Sequence, residues 1–195
     1  MSRRTFLQSV GEGVVKARDL IADQVVFTPL LETPLLNTLV SRQLNKQLRV
    51  VIKAESLQHT GSFKFRGATN RVRNLTAIQK ERGVVAFSSG NFAQALALAS
   101  TRNGVKCTIV APHDAPPLKL ERTRKYGAEV VLSEPPLDVN REVAASSMAA
   151  DIAEKSGATL LHPFNDPHVI HGTPNNSLQA IVTYVYESDD VAIVI

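Results

Sequence analysis

From residue 48 onward, short apolar runs alternate with longer stretches of helical character, and this rhythm limits the available folds more than any other feature. The runs at 48–54, 84–87, 105–111, 129–132, 159–161 and 191–195 are rich in Val and Ile. Runs of this length without polar alternation suit strands buried on both faces. The intervening stretches 63–75, 92–102, 118–126, 139–154 and 177–186 read as helices, and Gly104, Gly127 and Gly157 stand where three of them should stop. Strand–helix alternation implies a parallel sheet joined by right-handed crossovers, so the expected class is α/β.

Composition removes several kinds of function. With 44% hydrophobic and 21% charged residues, the 195-residue chain is ordinary globular material. It contains no run of ~18 apolar residues, so no membrane span is expected. The net charge of +4 is dispersed over residues such as Arg71, Arg73, Arg122, Arg124 and Lys125, and aromatics make up only 5%. A nucleic-acid surface would need a basic stripe interleaved with aromatics, so no nucleic-acid partner is expected. Ser2-Arg3-Arg4-Thr5-Phe6-Leu7 mimics a twin-arginine export signal. Gly11, Glu12, Gly13, Lys16, Arg18 and Asp19 interrupt the apolar stretch such a signal needs, and the expected location is cytoplasmic. The single Cys107 sits within a strand-like run and reads as an inert core thiol. His162, His168 and His171 cluster near Asp166, but the spacing is not that of a zinc site, and no metal is expected. No GxSxG elbow, Walker loop or GxGxxG follows a strand, so hydrolase, NTPase and dinucleotide readings have no anchor.

Two turns carry the chemistry. Glu55-Ser56-Leu57-Gln58-His59-Thr60-Gly61-Ser62-Phe63-Lys64-Phe65-Arg66-Gly67-Ala68 follows an apolar run and leads into a helix. Lys64 therefore lies at a helix N-terminus, where the dipole disfavours an ammonium and favours the neutral amine. Ala86-Phe87-Ser88-Ser89-Gly90-Asn91-Phe92-Ala93-Gln94-Ala95 repeats the grammar of strand, polar turn and helix start. One turn offers an amine; the other offers hydroxyls, an amide and free N–H groups. Together they suit a carbonyl cofactor held as an imine beside an anionic amino acid.

Ser62-Phe63-Lys64-Phe65-Arg66-Gly67-Ala68 and Ser88-Ser89-Gly90-Asn91 resemble the two signature segments of the serine/threonine dehydratase and serine racemase family. These are pyridoxal-phosphate enzymes of the tryptophan-synthase-β type. Further similar segments are Thr33-Pro34-Leu35, Ala115-Pro116-Pro117-Leu118-Lys119, Tyr126-Gly127-Ala128-Glu129-Val130 and His162-Pro163-Phe164-Asn165-Asp166-Pro167. The resemblance implies a two-domain subunit: 1–52 in the large domain, 53–145 as a complete small α/β domain, and 146–195 as a partial return to the large domain. The crossing is expected near Pro135 and Pro136, with 191–195 as the strand before the family's phosphate-binding loop.

The resemblance also assigns roles. Lys64 is implied as the Schiff-base lysine, with Phe63 and Asn91 beside the cofactor. Ser88, Ser89, Gly90 and Asn91 are implied to take the substrate carboxylate, and Ser89 is the acid–base group opposite the lysine in the racemase branch. The implied substrates are small hydroxy amino acids, serine and threonine. The implied activity is dehydratase (ammonia-lyase) or racemase, in a homo-oligomer or in association with a full-length relative. Two positions depart from the family pattern. Phe92 stands where His is usual, and Gly172-Thr173-Pro174-Asn175-Asn176-Ser177 keeps only the first glycine of a Gly-Gln-Gly-Thr segment. The alternative expectation is a catalytically impaired truncated paralogue, or a fragment, acting as a binding module.

Overall fold

A computed structural model of the chain describes residues 3–134, 139–173 and 191–194. It bears out the α/β class with two sheets. In chain order the elements are α1 (Arg3–Ile21), β1 (Leu30–Glu32), α2 (Pro34–Leu44), β2 (Arg49–Lys53), α3 (Lys64–Arg73), α4 (Ala77–Arg82), β3 (Val84–Phe87), α5 (Asn91–Arg102), β4 (Cys107–Pro112), α6 (Pro117–Lys125), β5 (Glu129–Ser133), α7 (Arg141–Ser156), β6 (Thr159–Leu161), α8 (Pro167–Gly172) and β7 (Val191–Val194). The expected helix at 177–186 and the expected crossing at Pro135–Pro136 lie outside the described residues.

One sheet has the order β5-β4-β3-β6 and is wholly parallel. Its strands are buried on both faces, as their Val-rich runs require. Phe65, Val72, Ala86, Leu96, Ile109 and Leu161 form the core on the face covered by α3 and α5. On the other face Ala145, Ala149 and Ala153 recur every four residues along α7 and lie on Val85 and Val110. Small residues at that spacing let the helix approach the sheet closely. The sheet continues beyond residue 145, since α7 and β6 both belong to it.

The second sheet has the order β1-β2-β7. β2 runs parallel to β7, with Val50 opposite Ala192, whereas β1 runs antiparallel, with Leu30 opposite Lys53. The expectation of parallel pairing alone fails at β1. A three-residue edge strand gives no periodic signal, and its direction follows from the chain doubling back through α2. Thr33 caps α2 by accepting the Leu36 N–H at 3.1 Å, and Asn45 ends it in the left-handed region.

Candidate active site

In open parallel sheets, ligands sit beyond the carboxyl ends of the strands. Both expected turns lie there. β3 ends at Phe87, and the Ser88–Asn91 turn leads directly into α5. The Ser88 N–H donates to the Val110 carbonyl at 3.0 Å, extending the ladder one residue past the strand. The Gly90 N–H then donates to Ser88 Oγ at 3.2 Å. Gly90 caps α5 without a side-chain bond, so the first N–H groups of that twelve-residue helix have no capping side chain. No atom lies within 4 Å of where a Gly90 Cβ would stand, so the turn borders open space. Ser88, Ser89 and Gly90 are half-buried and Asn91 is exposed.

Lys64 is the first residue of α3. The turn before it is bent by two left-handed residues, Thr60 at φ 62° and Gly61 at φ 72°. A β-branched residue in that region carries strain, and such strain survives only where the surroundings fix it. The Lys64 side chain is half-buried, with Nζ 5.2 Å from the Phe63 ring centroid. Burial pushes its ammonium below the ordinary lysine range. Among the described residues no carboxylate pairs with it; Nζ donates to the Pro163 carbonyl at 3.3 Å.

That carbonyl links the two turns. β6 runs beside β3 with Leu161 opposite Ala86, so residues 162–164 continue alongside Phe87. The His162 ring meets Phe87 edge-on at 5.6 Å and Phe164 at 4.4 Å. One segment therefore touches the end of β3 through His162 and the amine through Pro163.

The 162–172 segment is clamped onto the lysine helix. Asp166 caps α8 by accepting the His168 N–H at 2.8 Å, and its other oxygen accepts from Arg71 Nε at 2.7 Å. Asn70 Nδ2 donates to the His168 carbonyl at 2.7 Å. The helices nearly touch where Gly67 faces Val169 and Thr173, and where Gly172 faces Asn70 and the Gly67 Cα. A Cβ on Gly67 would come within 2.8 Å of the Val169 carbonyl oxygen, which is backbone and cannot swing aside. Gly67→Ala should therefore lower stability by about 1–3 kcal/mol, the usual range for overpacking. The urea midpoint reads this directly; an unchanged midpoint would mean that α3 and α8 do not meet this closely.

Sequence reasoning did not identify three contributors. The first is the Pro163 carbonyl, a backbone atom with no residue-type signature. The second is the buried Glu55–Arg66 pair beneath the lysine turn, with Nη2 to Oε1 at 2.7 Å. The third is Ser62, whose buried hydroxyl has no hydrogen-bond partner among the described residues. Phe92, where the family usually has His, is 3% exposed and belongs to the core below the turn. Cys107 is buried, and burial pushes its thiol up to about 12, which leaves it unreactive. Among the described residues, no group of three or more His, Cys, Asp or Glu is placed to hold a metal, and no helix is long and apolar enough to cross a membrane. A groove of about 530 Å³ lies at the opposite, amino end of the strands, lined by Gly83, Lys106 and Gly127 among others. It is remote from both turns.

Residues 21–191 match the family model for pyridoxal-phosphate dependent enzymes. Among curated proteins, the chain is 48% identical over 123 residues to an L-threonine ammonia-lyase of Thermotoga maritima, covering 63% of this chain and 29% of that protein. It is 35% identical over 180 residues to a serine racemase of Arabidopsis thaliana, covering 92% and 51%. Among solved structures, maize serine racemase superposes with a TM-score of 0.77 at 30% identity, covering 89% of this chain and 50% of that one. The chain thus spans about half the length, or less, of the curated relatives it matches.

The donor set fits the cofactor of that family. A half-buried amine without a carboxylate partner, an orphaned buried hydroxyl two residues before it, and an open Gly90 turn at a helix start suit a carbonyl-bearing anionic group.

Proposed function

This chain belongs to the pyridoxal-phosphate dependent enzyme family, and from that premise we propose that it serves ammonia-lyase or racemase chemistry on the small hydroxy amino acids serine and threonine. The observation that carries this reading is Lys64. Its amine is held half-buried and free of carboxylates beside the segment that borders the end of β3. Lys64 would hold the cofactor, with Phe63 walling its side chain and Asn91 reaching the ring oxygen. When bound, the cofactor supplies an electron sink for negative charge at the substrate α-carbon.

The chain's own groups do the rest. Lys64 Nζ takes the α-proton, a task for which an amine with a depressed pKa is suited. The free N–H groups at the start of α5, together with Ser88, Ser89 and Gly90, bind and orient the substrate carboxylate. The Ser89 hydroxyl moves a proton on the face opposite the lysine; it returns one to the α-carbon in racemisation. Loss of the β-hydroxyl instead leads to an oxo acid and ammonia. The relatives include both a threonine ammonia-lyase and a serine racemase, and this reading keeps both outcomes. It assigns the lysine side of the site to this chain and makes no assignment for the phosphate.

The test is trapping. After incubation with pyridoxal phosphate and borohydride reduction, peptide mass mapping should place the adduct on Lys64. Adducts scattered over exposed lysines, in a pattern that Lys64→Ala leaves unchanged, would sink the proposal.

A further inference from the structure

The contacts around Pro163 assign a task to a residue that the chemistry above leaves unused. We infer that His162 is a positioning residue for Lys64, acting as a neutral ring whose Nδ1 is an acceptor and whose proton sits on Nε2. This rests on the reading of Lys64 as the cofactor lysine, and it concerns how that amine is aimed.

His162 Nδ1 accepts two backbone N–H groups, from Phe164 at 3.3 Å and from Asn165 at 2.9 Å. A ring nitrogen that accepts cannot also carry a proton, so the tautomer is fixed by the turn around it. The Phe164 N–H and the Pro163 C=O belong to one peptide unit. The chain has no cis peptide bond among its described residues, so the two groups of that plane point in opposite directions. Fixing the N–H on His162 therefore aims the carbonyl the other way, where Lys64 Nζ donates to it at 3.3 Å. Proline narrows the freedom further. Its φ is locked by the ring, so the orientation of the following peptide plane is almost the only variable left, and His162 sets it. The ring itself is held edge-on between Phe87 and Phe164. The end of β3, which leads into the Ser88–Asn91 turn, is thereby tied to the peptide that seats the amine.

This separates the acceptor atom from the aromatic ring. Asparagine at 162 offers Oδ1 near the position of Nδ1 and can accept the same two N–H groups, as in an Asx turn. Phenylalanine keeps the edge-on ring and loses the acceptor. In competitive acetylation of the full chain with no cofactor present, Lys64 in His162→Phe should react about fivefold faster than in the wild type. That is the scale of releasing one hydrogen-bonded amine to solvent. Exposed Lys119 should be unchanged in both variants, and His162→Asn should match the wild type at Lys64. Equal Lys64 rates in His162→Phe and wild type would overturn the inference, as would His162→Asn behaving like His162→Phe. Nitrogen-15 NMR of the wild-type imidazole provides a check that does not depend on any variant folding: an unprotonated Nδ1 is expected, and a proton found there overturns the assignment. Because acetylation needs no cofactor, a wild-type Lys64 that captures no pyridoxal phosphate defeats the proposed function without altering this outcome.

Discussion

Glu55→Ala will destabilise the chain by about 3–5 kcal/mol, the range for breaking a buried ion pair from one side. Arg66 is 1% exposed and Glu55 6%. The guanidinium grips the carboxylate with two parallel bonds, Nε to Oε2 at 2.8 Å and Nη2 to Oε1 at 2.7 Å. Thr28 Oγ1 adds a third at 2.6 Å, and Arg66 Nη2 also reaches the Val26 carbonyl at 3.0 Å. Lys53, 2% exposed, donates to the Thr28 carbonyl at 2.6 Å. Burial pulls its ammonium pKa down, the Arg66 charge adds to this, and Glu55 opposes it. Removing the carboxylate would leave two buried cations facing each other. Replacing both partners with apolar residues, as in Glu55→Leu with Arg66→Met, should cost clearly less, because no charge is then stranded. Urea midpoints of the two single variants and the double measure the difference. A Glu55→Ala midpoint within error of the wild type would mean that water reaches the pair. The network matters to the site by position: Glu55 to His59 lead into the lysine turn and Arg66 follows it, so the strained Thr60–Gly61 bend is held from both sides.

Long periodic stretches were legible from the sequence. β3 falls at 84–87 as expected and β6 at 159–161, because Val and Ile runs buried on both faces have no competing reading. Helix ends were shifted by one or two residues, as at α5, which begins with Asn91 rather than Phe92. Short elements were missed. α4 and α8 have six residues each, too few for a helical period, although the Thr76/Gln79 capping box and the Asp166-Pro167 start carry local signals that would have found them. α1 spans nineteen residues, yet was read only for its arginine pair. At the site, both turns fall where strand–turn–helix grammar puts them. What joins them was invisible, because Lys64 meets the chain 99 residues away through a main-chain oxygen. Residue type encodes no such contact; it becomes apparent only once β6 is laid beside β3.

The largest expected effect belongs to Lys64 itself. Replacing it with methionine keeps the length and apolar contact of the side chain, including its place beside the Phe63 ring, and removes only the amine. The fold should be retained, since the one printed polar contact of Nζ is a single hydrogen bond to Pro163, worth about 1 kcal/mol. In deuterium oxide with pyridoxal phosphate present, exchange of the α-hydrogen of L-serine or L-threonine reports proton abstraction alone. It does not depend on whether the product is an oxo acid or the opposite enantiomer. The amine is both anchor and base on the proposed reading, and a positioned base alone contributes about 10²–10⁴-fold. Lys64→Met should therefore reduce exchange by at least about 10³-fold. The wild-type rate should rise with pH as the ammonium deprotonates. Burial lowers that pKa, so the midpoint should fall below the ordinary lysine value of about 10.4. Lys64→Arg keeps a cation but cannot give up its proton, and should be as inert as methionine. If Lys64→Met exchanged substrate at the wild-type rate, the base would be another group, and the Ser89 hydroxyl across the turn would be the next residue to replace.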